Sequence, residues 1–281
     1  MNRLPISAII LTYNEENNIK DCLESVRGLT DEIYVVDSFS TDRTLDIAGN
    51  YTDKIVQHEF ENYSRQRNWA QRVLPLKNEW VFHLDSDERV TPELADEIRT
   101  NLVNAADGIS GYLIKKRVIF LDRWIKHGGH YPVYHLRLFR KDKGQCENRK
   151  YDQHFICEGK IVKLKNDVVE ENHVDLTNWI SRHNRWASAE SEEFLLGSVK
   201  TGQVNARFFG NPIENRRWLK NKVFNHFPLF LRSFLYFIYR YFLRLGFLDG
   251  KEGLIFHVLQ GFWFRFLVDA KIYESKNRKM V

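Results

Sequence analysis

Apolar runs alternate with amphipathic stretches through the first hundred residues. "ISAIILTY" (6–13), "DEIYVVDS" (31–38), "DKIVQHEF" (53–60) and "EWVFHLDSD" (79–87) are short, rich in β-branched or aromatic residues and bounded by polar clusters. That pattern predicts buried strands. Between them, "NEENNIKDCLESVRGL" places Ile19, Cys22, Leu23 and Val26 at helical spacing, and "TDRTLDIAGNY" and "NYSRQRNWAQRVLPL" also predict helices. "TPELADEIRTNL" opens with Thr91 as N-cap, Pro92 at the first helical position and acids in the first turn. Strand–helix alternation with short connections predicts a mostly parallel sheet flanked by helices on both faces. Ligands of such sheets bind outside the carboxyl ends of the strands.

Residues 108–175 are richer in β character, in "GISGYLIKKRVIF", "YHLRLFRK" and "HFICEGKIVKL", and predict a mixed extension of the sheet. They carry a loop, "LDRWIKHGGHYPVYH", dense in Trp, His, Tyr and Gly. From about Thr177 the pattern turns helical, which divides the chain into an α/β domain over 1–176 and a helical region over 177–281. Apolar residues cover most of one expected helix from Phe224 to Leu248, interrupted by Arg232, Arg240 and Arg244. At 100° per residue those arginines fall within about 120° of one another, a basic stripe on an apolar helix. The stripe and the upstream "ENRRWLKNK" predict a helix lying in a membrane interface, with arginines at the level of lipid phosphates.

Composition narrows the classes. Hydrophobic content of 43% with 28% charged residues excludes a disordered chain, and the net charge of +5 favours anionic partners. Cys22, Cys146 and Cys157 lack CxxC spacing, so they read as reduced thiols rather than a zinc site or disulfide frame. The apolar run Ile6–Leu11 is too short for a signal peptide, and no run reaches the roughly 18–20 residues a spanning helix needs. Nucleic-acid binding would suit the charge, but no recognition motif accompanies it.

The chemistry concentrates at "HLDSDE". Asp85, Asp87 and Glu88 crowd the end of a buried strand, and Asp37 ends another. Mutual repulsion would be relieved at a solvated turn, or by a hard divalent cation bridging to a diphosphate. Asp37 is read as free for ligand, since Ser38, Ser40, Thr41 and Asp42 can cap the helix that follows.

"IILTYNEENNIKDCLESV", "DEIYVVDSFSTDRTLDIA", "NYSRQRNWA" and "WVFHLDSDERVTPEL", in that order, resemble glycosyltransferase family 2, the inverting GT-A enzymes that use nucleotide sugars. "RLFRK", "YDQHF", "RHNRWA" and "FLRLGFLDGKEGLIF" extend the resemblance to membrane-associated bacterial enzymes of lipopolysaccharide core, O-antigen or exopolysaccharide assembly. The resemblance implies a GT-A, Rossmann-like fold and a nucleotide-diphosphate sugar donor. It also implies Mg or Mn, and a lipid-linked acceptor of polyprenyl type or on lipid A-core, at the cytoplasmic face of the inner membrane. Carried over, Thr12, Tyr13, Glu15, Asp37, Arg67, Asn68 and Asp85 line the nucleotide-sugar pocket, and Asp87 with Asp85 holds the metal. The family usually has Gly where this chain has Phe39. Inversion needs a carboxylate base after the DxD; of Asp152, Glu158 and Glu147, the choice is Asp152 in "KYDQHF". Relatives often carry a His-Glu pair nearby, whereas Phe155 follows His154 here. Trp124, His130 and His154 are expected to bind acceptor. A non-catalytic nucleotide-sugar scaffold is the rival reading, against which the intact carboxylates argue.

Overall fold

The computed structural model describes residues 3–103, 108–197 and 202–278. In chain order it contains β1 (Leu4–Thr12), α1 (Ile19–Arg27), β2 (Thr30–Asp37), α2 (Thr44–Gly49), β3 (Ile55–Gln57), α3 (Tyr63–Val73), β4 (Trp80–Asp85), β5 (Glu88–Val90) and α4 (Pro92–Val103). There follow β6 (Ile109–Phe120), β7 (Arg123–Trp124), β8 (Val133–Arg140), β9 (Gly144–Cys146), β10 (Phe155–Cys157) and β11 (Lys160–Glu171). The helices α5 (Leu176–Leu196), α6 (Pro212–Lys222), α7 (Leu231–Ile238), α8 (Gly250–Phe256) and α9 (Phe264–Arg278) complete it. The expected α/β class is what the chain adopts.

The main sheet runs β3-β2-β1-β4-β8-β6-β11-β5. Its first four strands are parallel, and β8 joins β4 antiparallel. Registers pair Thr12 with Asp37 and Leu11 with Asp85, so the ends of β1, β2 and β4 form one edge. Strand β1 is buried at nearly every position because helices cover both faces, which explains its continuous apolar run. The core beneath the edge joins Ile6, Ala8 and Ile10 to Leu23, Val35, Phe82, Leu84 and Leu94.

Two compact units divide the chain. The first comprises residues 1–117, 134–148 and 154–173; the second comprises 118–133, 149–153 and 174–281. The second unit therefore draws two segments from within the domain expected over 1–176. Its cores gather Val118, Phe120, Ile125, Trp179 and Phe256, and separately Ala187, Phe264, Val268 and Ile272.

The single helix expected over 224–248 is not formed. Phe224–His226 is a 3-10 turn, Phe230 takes φ 69°, α7 ends at Ile238, Tyr239–Leu243 is a π turn and Leu245 is left-handed. The arginine stripe is lost with it. Arg232 is buried on Asp269, its Nε 2.7 Å from Oδ1, and Arg240 is buried against the 127–130 loop; only Arg244 is exposed. Buried guanidiniums demand internal acceptors, and here they find them. Among the described residues no helix is long and apolar enough to cross a membrane.

Candidate active site

Two loops close over the strand edge of the first unit. The Asn14 side chain accepts from Thr41 N at 2.8 Å, and Ser40 Oγ accepts from Asn14 N at 2.8 Å. Glu15 N donates to Thr44 Oγ1 at 2.8 Å, and Asp42 accepts from Glu16 N at 3.1 Å. Asp37 is fully buried and holds this arrangement together. Its Oδ2 accepts from Ser40 N at 2.9 Å and from Gln57 Nε2 at 3.0 Å, and its Oδ1 accepts from Ser40 Oγ at 2.5 Å. Asp42 Oδ1 accepts from Thr44 N at 3.0 Å and from Thr44 Oγ1 at 2.5 Å at the start of α2, while Asp37 fixes the turn before it. Phe39, inside that turn, has φ 61° and is exposed, so the backbone keeps a glycine-like conformation under a phenylalanine.

Thr12 is buried at the end of β1, and its Oγ1 has no hydrogen-bond partner among the described residues. An orphaned hydroxyl at a strand's carboxyl end is a ready contact for a ligand. Tyr13 is exposed beside it, and Glu15 Oε2 accepts from Asn18 Nδ2 at 2.6 Å. Asn68 spends both ends of its amide on the backbone of Cys146, at 2.8 Å each, and so clamps α3 to β9.

The crowded acids have a neutralising partner that their own segment does not reveal. Arg67 Nη2 donates to Asp85 Oδ1 at 2.7 Å, while Arg137 Nη2 donates to Asp85 Oδ2 at 2.8 Å and to Glu88 Oε1 at 2.5 Å. Glu88 Oε2 in turn accepts from Asp85 N at 3.0 Å. Arg67, Arg137 and Glu88 are all buried. Burial works against charge on Asp85, but the Arg67 and Arg137 guanidiniums overcome it and hold the carboxyl well below its usual range. Burial dominates at Glu88 and raises its carboxyl, with Asp85 adding to the push and Arg137 opposing it. Arg137 lies in the "RLFRK" stretch but drew no role from the sequence; a charged residue alternating with Leu136, Leu138 and Phe139 in a strand was the signal available.

Asp87 sits in the turn between β4 and β5, half-buried, and its Oδ2 accepts from Asn172 Nδ2 at 2.7 Å. Among the described residues no group of three or more His, Cys, Asp or Glu side chains is placed to hold a metal ion. Both Asp85 oxygens are committed to guanidiniums. Asp87 is the other carboxylate of the DxD, a hard oxygen ligand of the kind a divalent cation takes beside substrate phosphates and water.

The remaining expected residues fall in different places. In the second unit, Asp152 has φ 55°; Lys220 Nζ donates to its Oδ2 at 3.0 Å, and Arg217 Nη2 donates to its carbonyl at 2.9 Å. Lys220 also pairs with Glu190 at 2.7 Å, and Glu190 accepts from Arg265 at 2.8 Å and 2.9 Å. Burial opposes charge on Glu190, but Arg265 and Lys220 keep its carboxyl below the usual value. Trp124 packs edge-on against Tyr131, and His130 Nδ1 accepts from Arg240 Nη2 at 3.1 Å. In the first unit, His154 N donates to Glu147 Oε1 at 2.9 Å, and its ring lies 5.9 Å from that of His135.

A parallel α/β edge bearing a charged, arginine-held DxD belongs to the nucleotide-binding class of folds. The family model for glycosyl transferase family 2 matches residues 7–163, more than half of the chain, and the chain belongs to that family. It is a glycosyltransferase. An uncharacterised glycosyltransferase of Rickettsia conorii is 28% identical over 96% of this chain and 90% of its own length. The lipopolysaccharide core biosynthesis glycosyltransferase LpsC of Rhizobium meliloti is 25% identical over 97% of this chain and 93% of its own. Among solved structures, S. aureus TarS overlaps 83% of this chain and 52% of its own at 17% identity, with a TM-score of 0.40. Glucosyl-3-phosphoglycerate synthase of Mycobacterium tuberculosis, in complex with Mg2+ and UDP, overlaps 40% and 43% at 25% identity and a TM-score of 0.33. Overlaps that loose carry no argument about this chain's ligands.

Proposed function

We propose that the chain transfers a sugar, with inversion, from a nucleoside-diphosphate sugar to a lipid-linked glycan in the assembly of bacterial lipopolysaccharide or a related surface polysaccharide. The observation that carries this reading is the Arg67–Asp85–Arg137–Glu88 network, which keeps Asp85 ionised at the strand edge and leaves Asp87 in the following turn. The relationship to LpsC supports the lipopolysaccharide assignment.

In this reading Thr12 and Tyr13 contact the nucleotide, and Asp37 supports that pocket by fixing the loop around Ser40. Arg67 orients Asp85 toward the ribose. Asp87 would hold Mg or Mn, which when bound would supply electrostatic stabilisation to the departing diphosphate. Asp152 takes the proton of the acceptor hydroxyl as that oxygen forms the new bond to the anomeric carbon and the nucleoside diphosphate leaves. Trp124, His130 and His154 are assigned to acceptor binding by the family resemblance. Exposed apolar side chains of the second unit, Phe234, Phe242, Leu243 and Leu248 among them, supply contact with the cytoplasmic face of the inner membrane.

A screen of nucleotide sugars that follows nucleoside-diphosphate release, with bacterial membrane lipid as acceptor, tests the reading. Lipid-dependent release from at least one donor is expected; none from any donor would contradict it.

A further inference from the structure

Several cations of the second unit pair with a carboxylate: the buried Arg232 with Asp269, and the partly buried Lys220 and Arg265 with Glu190. Three other arginines, the buried Arg240 and the exposed Arg216 and Arg244, have no such partner among the described residues. Arg240 is 4% exposed, yet its Nε donates to Gly128 O at 2.9 Å, its Nη1 to Gln260 Oε1 at 2.7 Å and its Nη2 to His130 Nδ1 at 3.1 Å. Arg216 Nη2 donates to Gly129 O at 3.2 Å. Arg244 donates to Tyr239 Oη at 3.2 Å, and its guanidinium lies 3.6–3.8 Å from where a side chain on Gly129 would begin. Among the described residues, none of these three guanidiniums forms an ion pair with a carboxylate.

Three guanidiniums thus gather on one loop, held only by neutral acceptors. Gly128 and Gly129 shape that loop. Both have positive φ, at 68° and 70°, and Gly128 N donates to Arg244 O at 2.8 Å, which ties the loop to the arginine-bearing turn. Keeping the buried Arg240 guanidinium among neutral groups and beside two like charges is unfavourable unless an anion completes the site, and the exposed Arg216 and Arg244 give that anion access from solvent. The local field is strong enough to act on a phenol: burial works against ionisation of Tyr236, but Arg240, Arg265 and Arg216 bring it below its ordinary value. Guanidiniums match phosphate oxygens in fork geometry and keep their charge at every physiological pH. Beside Arg244, Tyr239, Phe242, Leu243 and Leu245 are all exposed, with Leu243 71% accessible. A phosphate carried on an apolar chain would satisfy both features.

We propose that Arg216, Arg240 and Arg244, gathered on the Gly128–Gly129 turn, bind a phosphate group of the lipid that carries the acceptor glycan. This rests on the lipid-linked acceptor proposed above and assigns the part of the substrate recognised by charge. Inorganic pyrophosphate, titrated calorimetrically in EDTA to silence metal-dependent binding at the donor site, is the soluble probe. Phosphatidylcholine vesicles with and without phosphatidic acid are the lipid probe.

The wild-type chain is expected to bind pyrophosphate, and Arg216→Gln/Arg244→Gln to bind it at least about tenfold more weakly. Phosphatidic acid is expected to strengthen vesicle binding of the wild type and not of the variant. Arg216→Lys/Arg244→Lys should recover part of both, and an unchanged melting temperature shows that the variants fold. Equal pyrophosphate binding by wild type and the Gln variant overturns the site. Arginine-dependent pyrophosphate binding without any gain from phosphatidic acid overturns the lipid assignment. Donor hydrolysis by the wild type, followed in parallel, reports on the transferase reading alone; its absence contradicts that reading and not the phosphate site.

Discussion

Arg137 and Asp85 meet at 2.8 Å, one contributed by the antiparallel strand β8 and the other by the carboxyl end of the parallel strand β4. The join between the parallel and antiparallel parts of the sheet therefore neutralises Asp85 and Glu88. Protein cations do this without help from any ligand, and Glu88 is part of the same unit.

Removing Arg137 should be costly because it strands Glu88, which is fully buried, as well as Asp85. Arg137→Leu is expected to lower unfolding free energy by about 3 kcal/mol, the scale for breaking a buried ion pair from one side. Arg137→Leu/Glu88→Leu should recover most of that loss. Urea denaturation of the three proteins checks it; a single variant as stable as wild type would mean that the network contributes nothing.

The acid limb of stability should carry the signature of Asp85. Its folded carboxyl lies below the unfolded value, so its contribution is complete above that value and is withdrawn as pH falls through it. Stability should begin to drop below about pH 5 and keep falling as the pH is lowered past about 3, and Asp85→Asn should show a shallower drop over that range. Chemical denaturation across that range measures both slopes.

His257 should contribute at higher pH. Burial first, then Arg240, lowers its imidazole to about 4, and neither ring nitrogen has a hydrogen-bond partner among the described residues. A base depressed on folding contributes fully above its unfolded value and loses that contribution as pH falls. The window therefore runs from about 6.5 down to about 4. His257→Phe should flatten that part of the stability profile. The ring lies against Gly128, where any side chain would overlap it, so Gly128→Ala should destabilise by more than the ~1 kcal/mol set by its positive φ alone.

The parallel half of the fold was legible because its strands are buried on both faces and its helices carry ordinary apolar spacing. Ile6–Leu11 and Val81–Leu84 admit few other readings once polar clusters bound them. The site was legible only where sequence neighbours cooperate, as in Asp85 and Asp87. Arg137 arrives from 52 positions away, and nothing local announces its partner. Asp37 was read as spare because its bonds to Ser40 and Gln57 depend on how the loop folds back. The tail misled for a related reason: helical spacing of Arg232, Arg240 and Arg244 has meaning only on an unbroken helix. The π turn over Tyr239–Leu243, after which Arg244 leaves helical geometry at φ -98°, breaks that spacing.

Phe39 offers a local test of backbone demand. Relief of its left-handed conformation, about 1 kcal/mol, opposes the greater unfolded freedom of glycine. Phe39→Gly should thus match or slightly exceed wild type in melting temperature, while the β-branched Phe39→Val should fall below it. Thermal melts of the pair decide the matter.

Contact with lipid should depend on exposed apolar side chains. Replacing Phe242 and Leu243, 54% and 71% accessible, by Ser should weaken vesicle binding by roughly 2 kcal/mol or more if both insert. Co-sedimentation with liposomes reads this directly; undiminished binding would place the membrane contact elsewhere.

The central claim is that Asp87 joins a cation to the diphosphate of the donor while Asp85 is held by arginines. Calorimetric titration of nucleoside diphosphates with and without Mn2+ or Mg2+, on wild type and Asp87→Asn, tests it most directly. The expected result is metal-dependent binding by the wild type that falls by at least about tenfold in the variant, with its melting temperature unchanged. Equal, metal-dependent affinity in both proteins would contradict it.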